Sequence, residues 1–200
     1  MMRLMIIGTL VLATIVPASF AAAQTPPTPP ATTRTVVAAI KLPTVTDVPR
    51  HFRLVTVALP PGEKSSVSGA DGVLYQVSGS TEVSACGDTK MLHAAEGVFI
   101  AGGKGCEVQA GNAEPSVFLH FLLAHAADLD RLTEAPPATV KELSRTPAPI
   151  PGLRAGGYDL NLTRVTFPAK MPSNAPHYRS GGLVLRHLGD RGEYDRRTNL

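Results

Sequence analysis

The chain has no tryptophan, and aromatic residues of every kind make up only 5% of it. That scarcity argues against a carbohydrate site built on stacked rings. Charge is also sparse, at 18% of residues with a formal net charge of +3, and no basic run exceeds two residues. A nucleic-acid-binding surface needs clustered lysine and arginine with interleaved aromatics, and neither occurs, so no nucleic-acid partner is expected. There is no G-x-S-x-G elbow, no G-x-G-x-x-G, no phosphate-binding Walker loop and no H-E-x-x-H. The common sequence signatures of hydrolases, dinucleotide enzymes, NTPases and zinc proteases are therefore missing. Glu63, Glu82 and Glu96 show no catalytic pairing by spacing.

What is present begins with an export signal. Met1 to Arg3 is a short basic start, and Leu4 to Val16 is apolar apart from Gly8, Thr9 and Thr14. Pro17 breaks the run, and Ala21-Ala22-Ala23 supplies small residues for a cut after Ala23. The run is shorter than the roughly 20 apolar residues of a membrane span. Residues 1–23 are thus expected to direct the protein to the periplasm or to secretion, with no membrane span after processing. Residues 24–33, rich in proline and threonine, read as an extended leader. Export bears on the two cysteines, Cys86 and Cys106: in an oxidising compartment they either pair or remain two buried thiols.

Short apolar segments then recur between glycine- and proline-rich gaps. Strands are expected in the run TVVAAIKL, over His51 to Leu59, Gly72 to Val77, Thr81 to Ala85, Gly97 to Ala101 and Ser116 to Leu123. Such spacing implies a sandwich, barrel or jelly roll. Asp128 to Thr133 and Ala138 to Arg145 read as helices, and Pro147 to Gly157 as a linker. His120 falls on the face of its strand opposite Leu119 and Phe121, as a half-exposed strand residue. The run LTRVTFPAKMPSNAPHYRSGG from Leu162 echoes FRLVTVALPPGEKSSVSGADG from Phe52. Each has an arginine, a V-T pair, a proline and a polar bend that closes on glycine.

The stretch FRLVTVALPPGEKSSVSGADGVLYQVSG, strand, P-P-G-E turn, glycine-rich bend and strand, resembles the first half of a cupin. The resemblance runs from about Arg34 to Ala124 and resumes from Asn161. It implies an all-β jelly-roll barrel over residues 34–125, a helical connection and linker over 126–157, the start of a second cupin half over 158–182, and an irregular tail over 183–200. That tail is charged and lacks a period of two, so the second half is expected to be truncated, as a frameshift within it would leave it.

Metal-binding cupins place histidines and a glutamate on their first motif and a histidine on their second. Carried over to this chain, those positions fall near Ser68, Ala70 and Gly72, with Cys106 at the second motif. Serine, alanine and glycine side chains do not replace imidazole and carboxylate ligands. The resemblance therefore implies no cofactor, no metal and no catalytic residue in this barrel. In the second half His177 and Arg179 stand at the two histidine positions, and arginine repels a metal. That pair reads as a ligand-binding candidate for an anion. The leading expectation is a non-catalytic binding or interaction module whose partner is a small molecule or protein. The alternative is a metal-dependent enzyme with its site in the second half. A homodimer is expected to cover exposed sheet edges.

Overall fold

The computed structural model describes residues 31–45, 49–84 and 86–168. The export signal, most of the leader, His177, Arg179 and the charged tail lie outside these residues.

Eleven strands follow in chain order: β1 (Thr33–Val45), β2 (Arg50–Leu59), β3 (Lys64–Val67), β4 (Asp71–Ser78), β5 (Thr81–Ser84), β6 (Lys90–Leu92), β7 (Gly97–Ile100), β8 (Cys106–Ala110), β9 (Ser116–His125), β10 (Thr139–Arg145) and β11 (Gly156–Thr166). Among the described residues the one helical element is a single 3₁₀ turn, Ala126–Asp128. The protein is all-β.

Three sheets form, ordered β10-β2-β9-β4-β7, β3-β8-β5-β6 and β1-β11. The first two face each other across the main core. Val55, Val57 and Leu59 from β2, Leu74 from β4, Ile100 from β7 and Phe118 from β9 meet Val67, Val83, Leu92, Cys106, Val108 and Ala110 from the opposite sheet. Leaving aside the added edge strand β10, the sheets read β2-β9-β4-β7 and β3-β8-β5-β6. Each consecutive strand from β2 onward either crosses to the other sheet or turns back beside a neighbour, which is the double Greek key of a jelly roll. The central strand β9 pairs with β2 in continuous register, Arg50 opposite His125 and Leu59 opposite Ser116, and its pairing with β4 shifts between Gln76 and Ser78.

The β1–β11 ribbon covers the outer face of the larger sheet. Val37 and Leu162 pack against Leu54, Tyr75 and Leu119. Leu42, Val45, Tyr158 and Leu160 pack with Leu123 and Ile150. Burial of these side chains removes apolar surface from water on a second face of the sheet.

The two expected helices and the expected linker are corrected here. Residues 138–145 form no helix: Thr139 to Arg145 lie antiparallel to Ala58 through Arg53 of β2 as an edge strand. Lys141, Glu142, Leu143 and Arg145 favour a helix locally, but the open edge of β2 supplies backbone partners that outweigh so weak a preference. Nor do residues 128–133 form a helix, since the chain leaves the 3₁₀ turn and runs across the open end of the jelly roll. Residues 158–166, expected to open a second cupin half, belong to β11 and pair with β1, Thr33 opposite Thr166 and Leu42 opposite Tyr158. The intervening 146–155 segment is not a free linker: Ile150 is buried and its N–H donates to the Arg50 carbonyl at 2.8 Å.

Candidate functional site

Alternation along β2 and β9 sends His51, Arg53 and Val55, and likewise Phe118, His120, Leu122 and Ala124, toward the space between the sheets. At one end this space opens into a cavity of about 530 Å³. Its wall includes Arg50, Arg53, Asp71, Leu122, Arg131 and Thr133, together with the Ser68–Gly69–Ala70 and Gly102–Gly103 bends. Among the described residues no Phe, Tyr or Trp lines it, and His125 supplies the one ring.

The segment after β9 forms one side of this mouth and holds on by several bonds. Ser68 N–H donates to the Thr133 carbonyl at 2.7 Å, and Ala135 N–H to the Ser66 carbonyl at 3.0 Å. The Ser65 hydroxyl donates to the Ala135 carbonyl at 2.5 Å. Val67 and Glu134 form an isolated antiparallel bridge. The segment therefore adds to the edge of β3 and carries Glu134 into the interior.

There Glu134 meets His120. Oε1 of Glu134 lies 2.6 Å from Nδ1 of His120, and both side chains are wholly buried. The Thr133 hydroxyl donates to the other carboxylate oxygen at 2.6 Å. Burial pushes the Glu134 carboxyl up, but the hydrogen bond and charge of His120, the Thr133 hydroxyl and the charge of Arg53 outweigh it and hold the group below its ordinary value of 4.5. A carboxyl depressed on folding stabilises the protein above its unfolded value, and that contribution is lost as pH falls through the folded value. Urea midpoints are accordingly expected to drop as pH is lowered below about 4.5, and Glu134→Gln should flatten that dependence. An unchanged pH profile in the variant would show that Glu134 is not the group responsible.

His120 thus corrects the expectation of a half-exposed strand residue. The alternation holds, but the face opposite Leu119 is the inside of the jelly roll. Its Nε2 is buried without a hydrogen-bond partner. Gly72, on the neighbouring strand, lies against it: a Cβ built there would stand 3.0 Å from Nε2 and 2.4 Å from the Phe121 carbonyl oxygen. Gly72→Ala is therefore expected to cost about 1–3 kcal/mol by overpacking. Denaturant unfolding checks this, and an unchanged midpoint would contradict the contact.

A second charged chain ties the mouth to the β10 edge. Arg53 donates from Nε to Glu142 at 2.9 Å and from Nη1 to the Arg131 carbonyl at 2.8 Å. Glu142 also accepts from Arg145, which reaches Asp130 at 2.8 Å. The Arg145 hydrogen bond, with help from Arg53 and against a smaller cost of burial, holds Glu142 below its ordinary value.

A metal of the cupin kind does not fit these residues. Ser68 and Ala70 lie at the mouth, and Gly72 has no side chain to offer. Cys106 is joined to Cys86, with Cα atoms 4.8 Å apart, so its sulfur is committed. His120 and Glu134 bond to each other, and no cluster of three metal-binding side chains exists among the described residues. His51 reaches only Thr146, through the carbonyl at 3.3 Å and more distantly the hydroxyl. Arg53 and Glu134 had no signal in the sequence, because one sits in an ordinary strand and the other in a connecting segment.

Strand order decides the architecture: eight strands in two Greek-key sheets form the jelly roll that cupins share. The fold is cupin-like. Solved structures similar to it include a protein called TT1209 from Thermus thermophilus, 22% identical, covering 44% of this chain and 85% of its own, with a TM-score of 0.33. An RmlC-like cupin from Shewanella frigidimarina is 15% identical over 46% of this chain and 81% of its own, with a TM-score of 0.34. The polyketide cyclase RemF from Streptomyces resistomycificus is 19% identical over 56% of this chain and 72% of its own, with a TM-score of 0.33. No family model matches the cupin-like chain, and no curated protein matches it.

Proposed function

We propose that the protein is an exported, non-catalytic binding module that takes a small molecule at the open end of its jelly roll. The observation that carries this reading is the closure of His120 and Glu134 on one another beneath a walled cavity. The only buried imidazole–carboxylate pair among the described residues is spent on structure, while the space above it remains lined by polar and charged side chains. A cavity of this size matches the range of small-molecule sites. The alternative, a metal-dependent enzyme, depends on residues beyond 168 and gains no support from the described ones.

Screening a chemically diverse set of small molecules by thermal shift tests the proposal. Ala70, half-buried on the cavity wall, is the control: Ala70→Trp fills the space. Binding by the wild-type chain that this variant abolishes is the expected result. Binding that survives Ala70→Trp would place the ligand elsewhere.

A further inference from the structure

The donors and acceptors left open on the cavity wall define a ligand class. We infer that the mouth binds a small hydroxylated carboxylate, with Arg53 holding the carboxylate and Asp71 the hydroxyls. This rests on the reading of the cavity as a ligand site.

Arg53 is 7% exposed and lines the cavity. Its Nε and Nη1 are committed to Glu142 and to the Arg131 carbonyl. Its Nη2 has no partner among the described residues. A mostly buried guanidinium with one unpaired edge gains a charge-assisted hydrogen bond from an incoming carboxylate oxygen. Arg50 lines the same wall and donates from Nη1 to the Leu123 carbonyl at 3.3 Å. Arg131 is answered by Asp128 at 3.0 Å, so that pair adds no net charge.

Asp71 lies on the other side of the opening. Oδ1 accepts from the Gly102 N–H at 2.7 Å, and Oδ2 has no partner among the described residues. An ionised carboxylate only accepts, so what it takes from a ligand is a hydroxyl or similar donor. Arg53 stands opposite Leu122 and Asp71, the first residue of β4, opposite Leu123, on strands that flank β9. Two strand spacings separate their backbones by about 10 Å, which suits a short chain bearing a carboxylate at one end and hydroxyls beyond it. Among the described residues the one ring on the wall is the His125 imidazole, and the apolar part of the lining is aliphatic, from Leu122, Ala124 and Leu132.

Calorimetric titration of the full chain with gluconate tests the inference, with succinate as a carboxylate lacking hydroxyls, glucose as a polyol lacking a carboxylate, and inorganic phosphate as a different anion. Gluconate is expected to bind about tenfold or more tightly than each of the others. Arg53→Lys keeps a cation beside Glu142 but loses the fork, and should weaken gluconate about tenfold. Asp71→Asn should narrow the preference for gluconate over succinate. Circular dichroism melts confirm that both variants fold, and either one alone suffices for the comparison. No gluconate binding to the wild-type chain, equal binding of glucose or phosphate, or undiminished binding to folded Arg53→Lys would overturn the ligand class. If gluconate fails while a neutral compound binds and Ala70→Trp blocks it, the ligand class is wrong and the site stands. If no compound binds, both readings fall.

Discussion

Replacing Glu134 with alanine should destabilise the protein by about 3–5 kcal/mol, the largest loss expected from any single side chain of the mouth. The pair it forms with His120 is wholly buried, so removal leaves an imidazole with neither nitrogen bonded among the described residues. The same change takes an acceptor from the Thr133 hydroxyl and loosens the segment that bridges to Val67. Replacing both partners with apolar residues of similar volume, as in His120→Leu with Glu134→Met, should recover most of the loss. Paired buried charges contribute little beyond what good apolar packing supplies, whereas a single survivor is costly. Urea denaturation of the two single variants and the double variant gives the coupling directly. A Glu134→Ala variant as stable as the wild type would show that the pair does not hold the mouth closed.

Reduction of the bond between Cys86 and Cys106 should cost about 3 kcal/mol. The bond spans 20 residues of sequence and ties the end of β5, through Cys86, to the first residue of β8. Opening it restores chain freedom to the unfolded state. Cys106 also contributes to the main core, so Cys106→Ser adds the burial of a hydroxyl in apolar surroundings. Cys86→Ser avoids most of that second cost, because Cys86 sits at the edge of the core and is partly exposed. Cys106→Ser is therefore expected to unfold at lower urea than Cys86→Ser. Equal midpoints for the oxidised wild type, the reduced wild type and Cys86→Ser would remove the disulfide from the account.

The strands rich in β-branched and large apolar residues were legible in the sequence. VTVAL in β2, VLYQV in β4 and VFLHFLL in β9 announce themselves by composition. β3 and β8 were not, because KSSV and CEVQA are short and polar, and what makes them strands is pairing with each other. β10 looks helical in sequence because its propensities are local and the vacant edge of β2 is not. His120 shows a subtler limit. Alternation separates an inner from an outer face only when one face meets water, and here the β1–β11 ribbon buries the outer face as well. The echo between residues 52–72 and 162–182 rightly marked a strand near Leu162, but the partner of that strand is β1. Ser68, Ala70 and Gly72 are read from the sequence alone as side chains that do not ligate a metal. The pair of His120 and Glu134 was not legible, because Glu134 reaches His120 from a connecting segment whose path no periodicity encodes.

Elemental analysis of the purified full chain, after dialysis against a weak chelator, tests the central claim most directly. A jelly roll whose ligand positions hold Ser68, Ala70, Gly72 and a disulfide-bonded Cys106 should retain far less than one transition metal per chain. About one tightly held metal per chain, lost on His120→Ala or Glu134→Gln in a protein that still folds, would contradict it.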